Sequence, residues 1–119
     1  MAIHNDLGKK GEDLAEEFLK KNNYQVLERN WRFKKAEIDI IAKKNNVLAI
    51  IEVKTRSSNY FGNPQDFVNQ KKIQLMVEAI NEYVISKDLD VEVRFDIVAI
   101  IKNKNTTNIE HLKDAFLHF

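Results

Sequence analysis

A run of four apolar residues, 48–51, leads directly into Glu52, Val53 and Lys54, and no other feature constrains the fold as much. Short apolar runs of this kind are typical of β-strands. Because successive side chains of a strand point to opposite faces, Glu52 and Lys54 share one face while Val53 turns away. The sequence therefore predicts an acid and a base side by side at the end of an apolar strand.

A second acid, Asp39, precedes Glu52 by 13 residues. A carboxylate beside so apolar a run loses hydration, which is costly unless a cation or hydrogen bonds replace the water. Two carboxylates on neighbouring strands can hold Mg²⁺, which leaves its other positions to water and substrate phosphate. Asp39 and Glu52 are therefore predicted metal ligands, and Lys54 is the predicted catalytic lysine. The alternative is a structural ion pair with Lys54 or Arg56.

The length and composition fit one domain. A chain of 119 residues predicts a single domain over residues 1–119 with a substantial core. The absence of cysteine excludes disulfides and thiolate metal sites and favours a reducing compartment. The amino terminus lacks the apolar core of a signal peptide, and no apolar run approaches the roughly 18 residues of a membrane span. We therefore expect a soluble cytoplasmic protein that does not bind a membrane.

The charge is unevenly distributed. The formal net charge is only +1, but segment 29–72 carries ten basic residues against four acidic ones. The predicted site thus lies in a basic segment, as a polyanion-binding surface requires. A set of solvated surface charges is the alternative interpretation.

Hydrophobic periodicity predicts the element order α-β-β-β-α-β. The predicted elements are a helix over 6–21, strands over 24–31, 37–42 and 47–54, a helix from 63 to about 86, and a strand over 91–101. Asn5 or Asp6 would cap the first helix, and Asn63 before Pro64 the second. Residues 108–111 are a candidate edge strand. These elements predict an α/β domain whose helices flank a central mixed sheet.

Several motifs together resemble a known family. An acid in the first helix, Asp on the second strand and E-x-K on the third resemble the PD-(D/E)xK nuclease superfamily. The resemblance narrows to the YraN-like family of small bacterial proteins, similar to archaeal Holliday-junction resolvases. The motifs that carry it are Gly8-Lys9-Lys10-Gly11-Glu12, residues 37–42, Glu52-Val53-Lys54-Thr55-Arg56, Phe61-Gly62-Asn63-Pro64, Lys72, Ala79 and Arg94-Phe95-Asp96.

This resemblance implies a restriction-endonuclease-like fold and a Mg²⁺- or Mn²⁺-dependent phosphodiesterase site. It implies that Glu12 completes the metal site of Asp39 and Glu52 beside the catalytic Lys54; a capping or surface role is the alternative for Glu12. The expected activity is hydrolysis of DNA, including branched DNA, and symmetric cutting would fit a homodimer. Ala36 and Ile38 depart from the family pattern, where glycine and proline are usual, without removing a ligand.

Four further residues are predicted to contact nucleic acid. Arg56 continues the face of the acid and base, where it can clamp a phosphate oxygen. Lys72 lies on the apolar side of the second helix and either reaches a phosphate or extends to solvent. Gln70 and Lys71 can contact DNA from the start of that helix.

Other residues are given structural or supporting roles. Glu37 shares the face of Asp39 and can line the site, whereas Asp96 is expected to make a structural hydrogen bond. The three histidines show no metal-ligand spacing. Two rivals to the nuclease remain open. One is a catalytically inactive nucleic-acid-binding module, and the other is an assembly protein whose apolar tail, 116–119, recruits a partner.

Overall fold

The structure, a computed structural model, describes residues 2–57 and 69–115, without the side chains of residues 2–7. This part of the chain forms the elements α1 (Ala2–Lys21), β1 (Gln25–Phe33), β2 (Ala36–Lys44), β3 (Val47–Arg56), α2 (Gln70–Ser86), β4 (Glu92–Lys102) and β5 (Thr107–Leu112). The predicted order is confirmed, and the candidate edge strand is β5. No helix within these residues is long and apolar enough to span a membrane.

The five strands form one mixed sheet in the order β1-β2-β3-β4-β5. Neighbouring strands are antiparallel except β3 and β4, which are parallel. Parallel neighbours require a crossover connection, and α2 lies within it. A two-residue turn joins β2 to β3: Lys44 pairs with Val47, and Asn45 takes the left-handed conformation (φ 54°).

Each helix covers one face of the sheet. Met76 of α2 packs in a core that includes Ile50, whereas Leu19 of α1 packs in a second core that includes Ile51. Because Ile50 and Ile51 are consecutive on β3, strand alternation places the two cores on opposite faces. All four side chains are almost fully buried. The predicted α/β domain, with helices flanking a central mixed sheet, is confirmed.

Both helices begin elsewhere than predicted. α1 begins before Asn5 and Asp6, so both residues lie inside the helix instead of capping it. At the start of α2, the extended Asn69 accepts a hydrogen bond from the backbone N–H of Lys72 at 2.8 Å. The predicted cap at 63–64 lies outside the described residues. The prediction of one continuous helix from there to residue 86 is wrong, because Asn69 is the non-helical cap of α2.

Side-chain direction reverses partway along β1 and β2. Arg29 contacts the acids of α1, whereas Trp31, two residues on, packs against the core under α2. Regular alternation would place both on one face, but the intervening Asn30 is left-handed, with φ 52°. On β2, Ile38 belongs to the α2 core and Ile40 to the α1 core. Asp39, the predicted metal ligand of this strand, lies between these two isoleucines.

Candidate active site

A cleft of about 350 Å³ lies between the start of α2 and adjoining parts of β2 and β3. Its polar lining consists of Lys35, Glu37, Asp39, Glu52 and Lys72, and α2 adds an apolar wall. The cleft therefore brings together the two carboxylates predicted as metal ligands on the strands and one of the predicted phosphate-binding lysines.

Asp39 lies just beyond the end of the β2–β3 ladder. Paired residues extend along these strands as far as Ile40 opposite Ile51. Beyond that pair, Asp39 Oδ2 accepts a hydrogen bond from the backbone N–H of Val53 at 2.8 Å. The side chain thereby takes the place of a strand partner, which fixes the orientation of the carboxylate on the wall of the cleft.

The surroundings of Asp39 disfavour its charge. Burial, followed by the negative charge of Glu52, raises the pKa of Asp39 from 3.8 to about 7. The charge of Glu12 adds to this rise, while the hydrogen bond from Val53 and the charge of Lys72 oppose it. Two like charges held close resist ionisation, and a cation that binds both relieves the repulsion. The cleft therefore holds two carboxylates whose charges repel each other.

Glu52 is the most enclosed carboxylate of the cleft, with its side chain only 7% exposed. Lys72 Nζ lies 3.1 Å from Glu52 Oε2, and Lys54 Nζ lies 3.5 Å from the same oxygen. Lys54 reaches it from the same strand, as the alternation predicts, and Lys72 reaches it from the first turn of α2. One carboxylate oxygen is thus shared by two ammonium groups.

Arg29 was missed by sequence reasoning and organises the acids of α1. Its Nη2 lies 3.2 Å from Glu12 Oε1, and its Nη1 lies 2.7 Å from Glu16 Oε1 and 3.3 Å from Asp13 Oδ1. Arg29 Nε is buried without a hydrogen-bond partner among the described residues. The sequence does place two of these acids four and three residues before the third, Glu16, on one side of a helix. Like charges at this spacing repel each other, which indicates a positively charged partner.

Glu12 does not join the other two predicted ligands. It pairs with Arg29, and its charge acts on Asp39 only as one of several influences on the pKa. Among the described side chains, those of residues 8–57 and 69–115, no three acidic or histidine residues form a group arranged to hold a metal ion. The structure therefore brings together Asp39, Glu52 and Lys54, but not the full predicted set of three metal ligands.

The remaining predicted substrate contacts lie outside the cleft lining. Arg56 is exposed near the end of β3 and donates to the backbone carbonyl of Thr55 at 3.0 Å. Gln70 and Lys71 are exposed in the first turn of α2. Their contacts with nucleic acid stay predictions. Glu37 does line the cleft, as expected, although its side chain is 45% exposed and lies 3.5 Å from that of Arg32.

The basic residues of segment 29–72 do not form one continuous surface. Lys35 lines the cleft, but Lys43 and Lys44 lie at the opposite end of β2 from Glu37. Arg29 is engaged with the acids of α1. The positive charge at the cleft is therefore smaller than the sequence count indicates.

Gly11 sets how closely α1 approaches β3. A Cβ at this position would overlap Thr55 Oγ1 and lie 3.0 Å from Thr55 Cβ. Cβ atoms essentially never lie so close to atoms of another side chain, so any residue larger than glycine would push α1 away from β3. Because Glu12 is the next residue along α1, this close approach also determines where Glu12 lies relative to β3.

Asp96 makes the structural hydrogen bonds that the sequence predicts. It is fully buried, and its carboxylate lies 2.9 Å from Arg94 Nε, 2.7 Å from His111 Nε2 and 3.0 Å from the backbone N of Asp114. Burial acts to raise the pKa of Asp96, but these hydrogen bonds outweigh it and hold the pKa below its ordinary value. Arg94 also donates to the hydroxyl of Tyr24 at 2.7 Å. The cluster joins β4 and β5 to the segment after α1.

Comparison with known proteins gives a match over most of the chain. A family model described as "Uncharacterised protein family UPF0102" matches residues 11–100. A UPF0102 protein of Flavobacterium psychrophilum is 66% identical over 119 residues, and one of Christiangramia forsetii is 62% identical over 119 residues, each covering 100% of both chains. A relative from Bacteroides fragilis is 47% identical over 116 residues, 98% of this chain and 96% of its own. The matched segment contains Glu12, Asp39, Glu52, Lys54 and Lys72.

Proposed function

The chain belongs to the UPF0102 family, the YraN family, and we propose that it is a divalent-metal-dependent nuclease that hydrolyses DNA phosphodiester bonds. The observation that carries the proposal is the pair of carboxylates, Asp39 and Glu52, in one cleft with Lys54 beside Glu52. The raised pKa of Asp39 supports it, because repulsion within the pair is what a bound cation would relieve.

The donor set suits Mg²⁺ or Mn²⁺. Both ions prefer carboxylate oxygen, and Mg²⁺ typically takes one or two protein carboxylates and leaves its other positions to water and phosphate. Asp39 and Glu52 would hold the ion, and Glu12 would join them only by leaving Arg29. When bound, the ion would polarise the phosphate and make water a stronger nucleophile.

Lys54 supplies positive charge where the reaction needs it. Its ammonium lies 3.5 Å from Glu52, and its side chain is 25% exposed, so it is partly shielded from water. A lysine in this position donates to the attacking water or to the scissile phosphate and stabilises the charge that develops there. The proposed role therefore requires the ammonium group itself, and a neutral side chain of similar size cannot replace it.

The proposed substrate is DNA, including branched DNA. Lys35 on the cleft wall and Arg56 near the end of β3 would neutralise phosphates close to the scissile bond, which positions the backbone without reading its sequence. Symmetric cutting of two strands in a branched substrate requires two sites, so on that substrate the protein would act as a two-fold symmetric homodimer.

One observation favours a second candidate function, that of a catalytically inactive nucleic-acid-binding module. Glu12 is held by Arg29 at 3.2 Å, which leaves in the cleft only Asp39 and Glu52 of the three metal ligands that the nuclease resemblance implies. If hydrolysis requires the third carboxylate, a protein with this site would bind nucleic acid without hydrolysing it.

The test is cleavage of labelled duplex, four-way junction, flap and single-stranded DNA, with Mg²⁺ or Mn²⁺ and with chelator. Three proteins are compared: wild type, Glu52→Gln, and the control Glu110→Gln, whose acid is exposed on β5. We expect metal-dependent cleavage by wild type and control, reduced by about 100-fold or more in Glu52→Gln. Binding without cleavage on every substrate would select the second candidate, and neither binding nor cleavage would contradict both.

A further inference from the structure

Lys72 makes a contact that binding a phosphate does not require. Its ammonium donates to Glu52 Oε2 at 3.1 Å, and Lys54 lies 3.5 Å from the same oxygen. Lys72 therefore occupies one acceptor site of Oε2 through a hydrogen bond, and Lys54 adds a second positive charge at ion-pair distance. A divalent ion that used this oxygen would also meet two positive charges at close range. An ion that binds at Oε2 would therefore displace one of the two lysines from this oxygen.

The structure distinguishes which lysine can leave. Lys54 projects from a strand that is paired with β4 at this position, opposite Ala99, and its side chain is 25% exposed. Lys72 projects from the first turn of α2, and its side chain is 39% exposed. A lysine at the exposed end of a helix can redirect its flexible stem at little cost in packing. Lys72 is therefore the one that can change partners.

A positive partner is nevertheless required when no metal is bound. The side chain of Glu52 is 7% exposed. Removing the positive partner of a buried carboxylate strongly destabilises the folded protein. The charge of Lys72 also acts on Asp39, where it opposes the rise in pKa. One lysine thus compensates both Asp39 and Glu52, as a bound divalent ion would.

We propose that Lys72 is a stand-in cation, which holds Glu52 in the metal-free site and moves to a substrate phosphate when a divalent ion takes its place. The inference deepens the proposed function and rests on it, since it describes how the same site is loaded. It predicts that Lys72 opposes metal binding and favours DNA binding, two effects that a simple structural ion pair would not combine.

The first test uses Mn²⁺ alone as the probe and calorimetry as the readout. Lys72→Met is compared with wild type and with Lys104→Met, which removes an exposed charge outside the cleft. We expect Lys72→Met to bind Mn²⁺ about tenfold more tightly, because a close positive charge is removed, and Lys104→Met to bind as wild type does. In chelator, Lys72→Met should melt at a lower temperature than wild type, and saturating Mn²⁺ should narrow that difference.

The second test measures DNA binding in Ca²⁺ over a range of salt concentrations. Lys72→Met should bind more weakly, and the slope of log affinity against log salt should fall by about one. An unchanged slope would overturn the transfer of Lys72 to phosphate. Lys72→Gln, which keeps a hydrogen-bond donor without the charge, should give the same results and serves if Lys72→Met does not fold.

The outcomes separate this inference from the proposed function. If wild type binds Mn²⁺ and both Lys72 variants bind it equally or more weakly, the stand-in role is overturned and the nuclease proposal is unaffected. If neither wild type nor the variants bind Mn²⁺, the metal-dependent function fails, and the stand-in role fails with it.

Discussion

Asp39→Asn is expected to stabilise the protein in the absence of divalent metal, and increasingly so as the pH rises. Burial and the charge of Glu52 raise the pKa of Asp39 from 3.8 to about 7, so ionising this group is harder in the folded than in the unfolded chain. A raised pKa contributes stability that is fully present below the unfolded value of 3.8 and is lost as the pH rises through about 7. Asparagine keeps an oxygen for the N–H of Val53 but carries no charge.

The size of the effect follows from the pKa of Asp39. A difference of about three units, at about 1.4 kcal/mol per unit, gives a limit of about 4 kcal/mol above pH 8. Between about pH 4.5 and about pH 8, the unfolding free energy of Asp39→Asn should gain about 3 kcal/mol relative to wild type. Urea unfolding in chelator at several pH values measures this difference.

The control for this experiment is Asp90→Asn, which removes an exposed aspartate outside the cleft and should show no such trend. Added Mg²⁺ should reduce the advantage of Asp39→Asn, because only the wild-type pair gains free energy from binding the ion. A difference between Asp39→Asn and wild type that stays constant with pH would refute the electrostatic reasoning about the site.

Three further predictions concern residues around the cleft and the core. Gly11→Ala should lower the unfolding free energy by about 1–3 kcal/mol, because its Cβ overlaps Thr55. Gly8→Ala should raise the unfolding free energy by up to about 1 kcal/mol, because its Cβ meets nothing within 4 Å. Equal thermal stability of the two variants would contradict this prediction. Lys54→Met should slow cleavage by about 100-fold or more while Mn²⁺ affinity does not fall, and weaker Mn²⁺ binding in calorimetry would argue for a structural role. Asp96→Asn should lower the unfolding free energy by about 3 kcal/mol near neutral pH. Because the pKa of Asp96 is lowered, the stability that its charge contributes is present above the unfolded value of 3.8 and is lost as the pH falls. Urea unfolding should therefore show a smaller difference between Asp96→Asn and wild type in acid.

The strands could be predicted because their signal is local. The apolar run before Glu52 and the alternation that follows it are properties of consecutive residues, and β3 extends two residues beyond its predicted end at Lys54. The shared face of Glu52 and Lys54 follows from the same alternation, and the 3.5 Å contact agrees with it. Asp39 was found by its position 13 residues before Glu52, on the strand predicted next to that of Glu52.

The helix starts were harder to predict because several residues can serve as caps. Asn63 before Pro64 and Asn69 are both suitable N-caps by residue type. The backbone of Asn69 is extended, and its side chain accepts from Lys72, so α2 begins after Asn69. Sequence alone does not say which of two suitable residues leaves the helical conformation.

The contacts between distant residues were not predictable. Arg29 meets acids 13 to 17 residues earlier in the chain, and the reversal of β1 that permits this depends on the left-handed conformation of Asn30. Lys72 was recognised as a charge on the apolar side of a helix, but its contact with Glu52 spans 20 residues. Such partners depend on how the helices pack on the sheet, which local periodicity does not encode.

The central claim is that Asp39 and Glu52 together bind a divalent cation, and anomalous diffraction from crystals soaked in Mn²⁺ tests it most directly. Wild-type crystals should show an anomalous peak at about 2.2 Å from carboxylate oxygens of both residues, and Glu52→Gln crystals should show none there. A wild-type crystal with no Mn²⁺ at this pair, at concentrations that saturate ordinary carboxylate sites, would contradict the account.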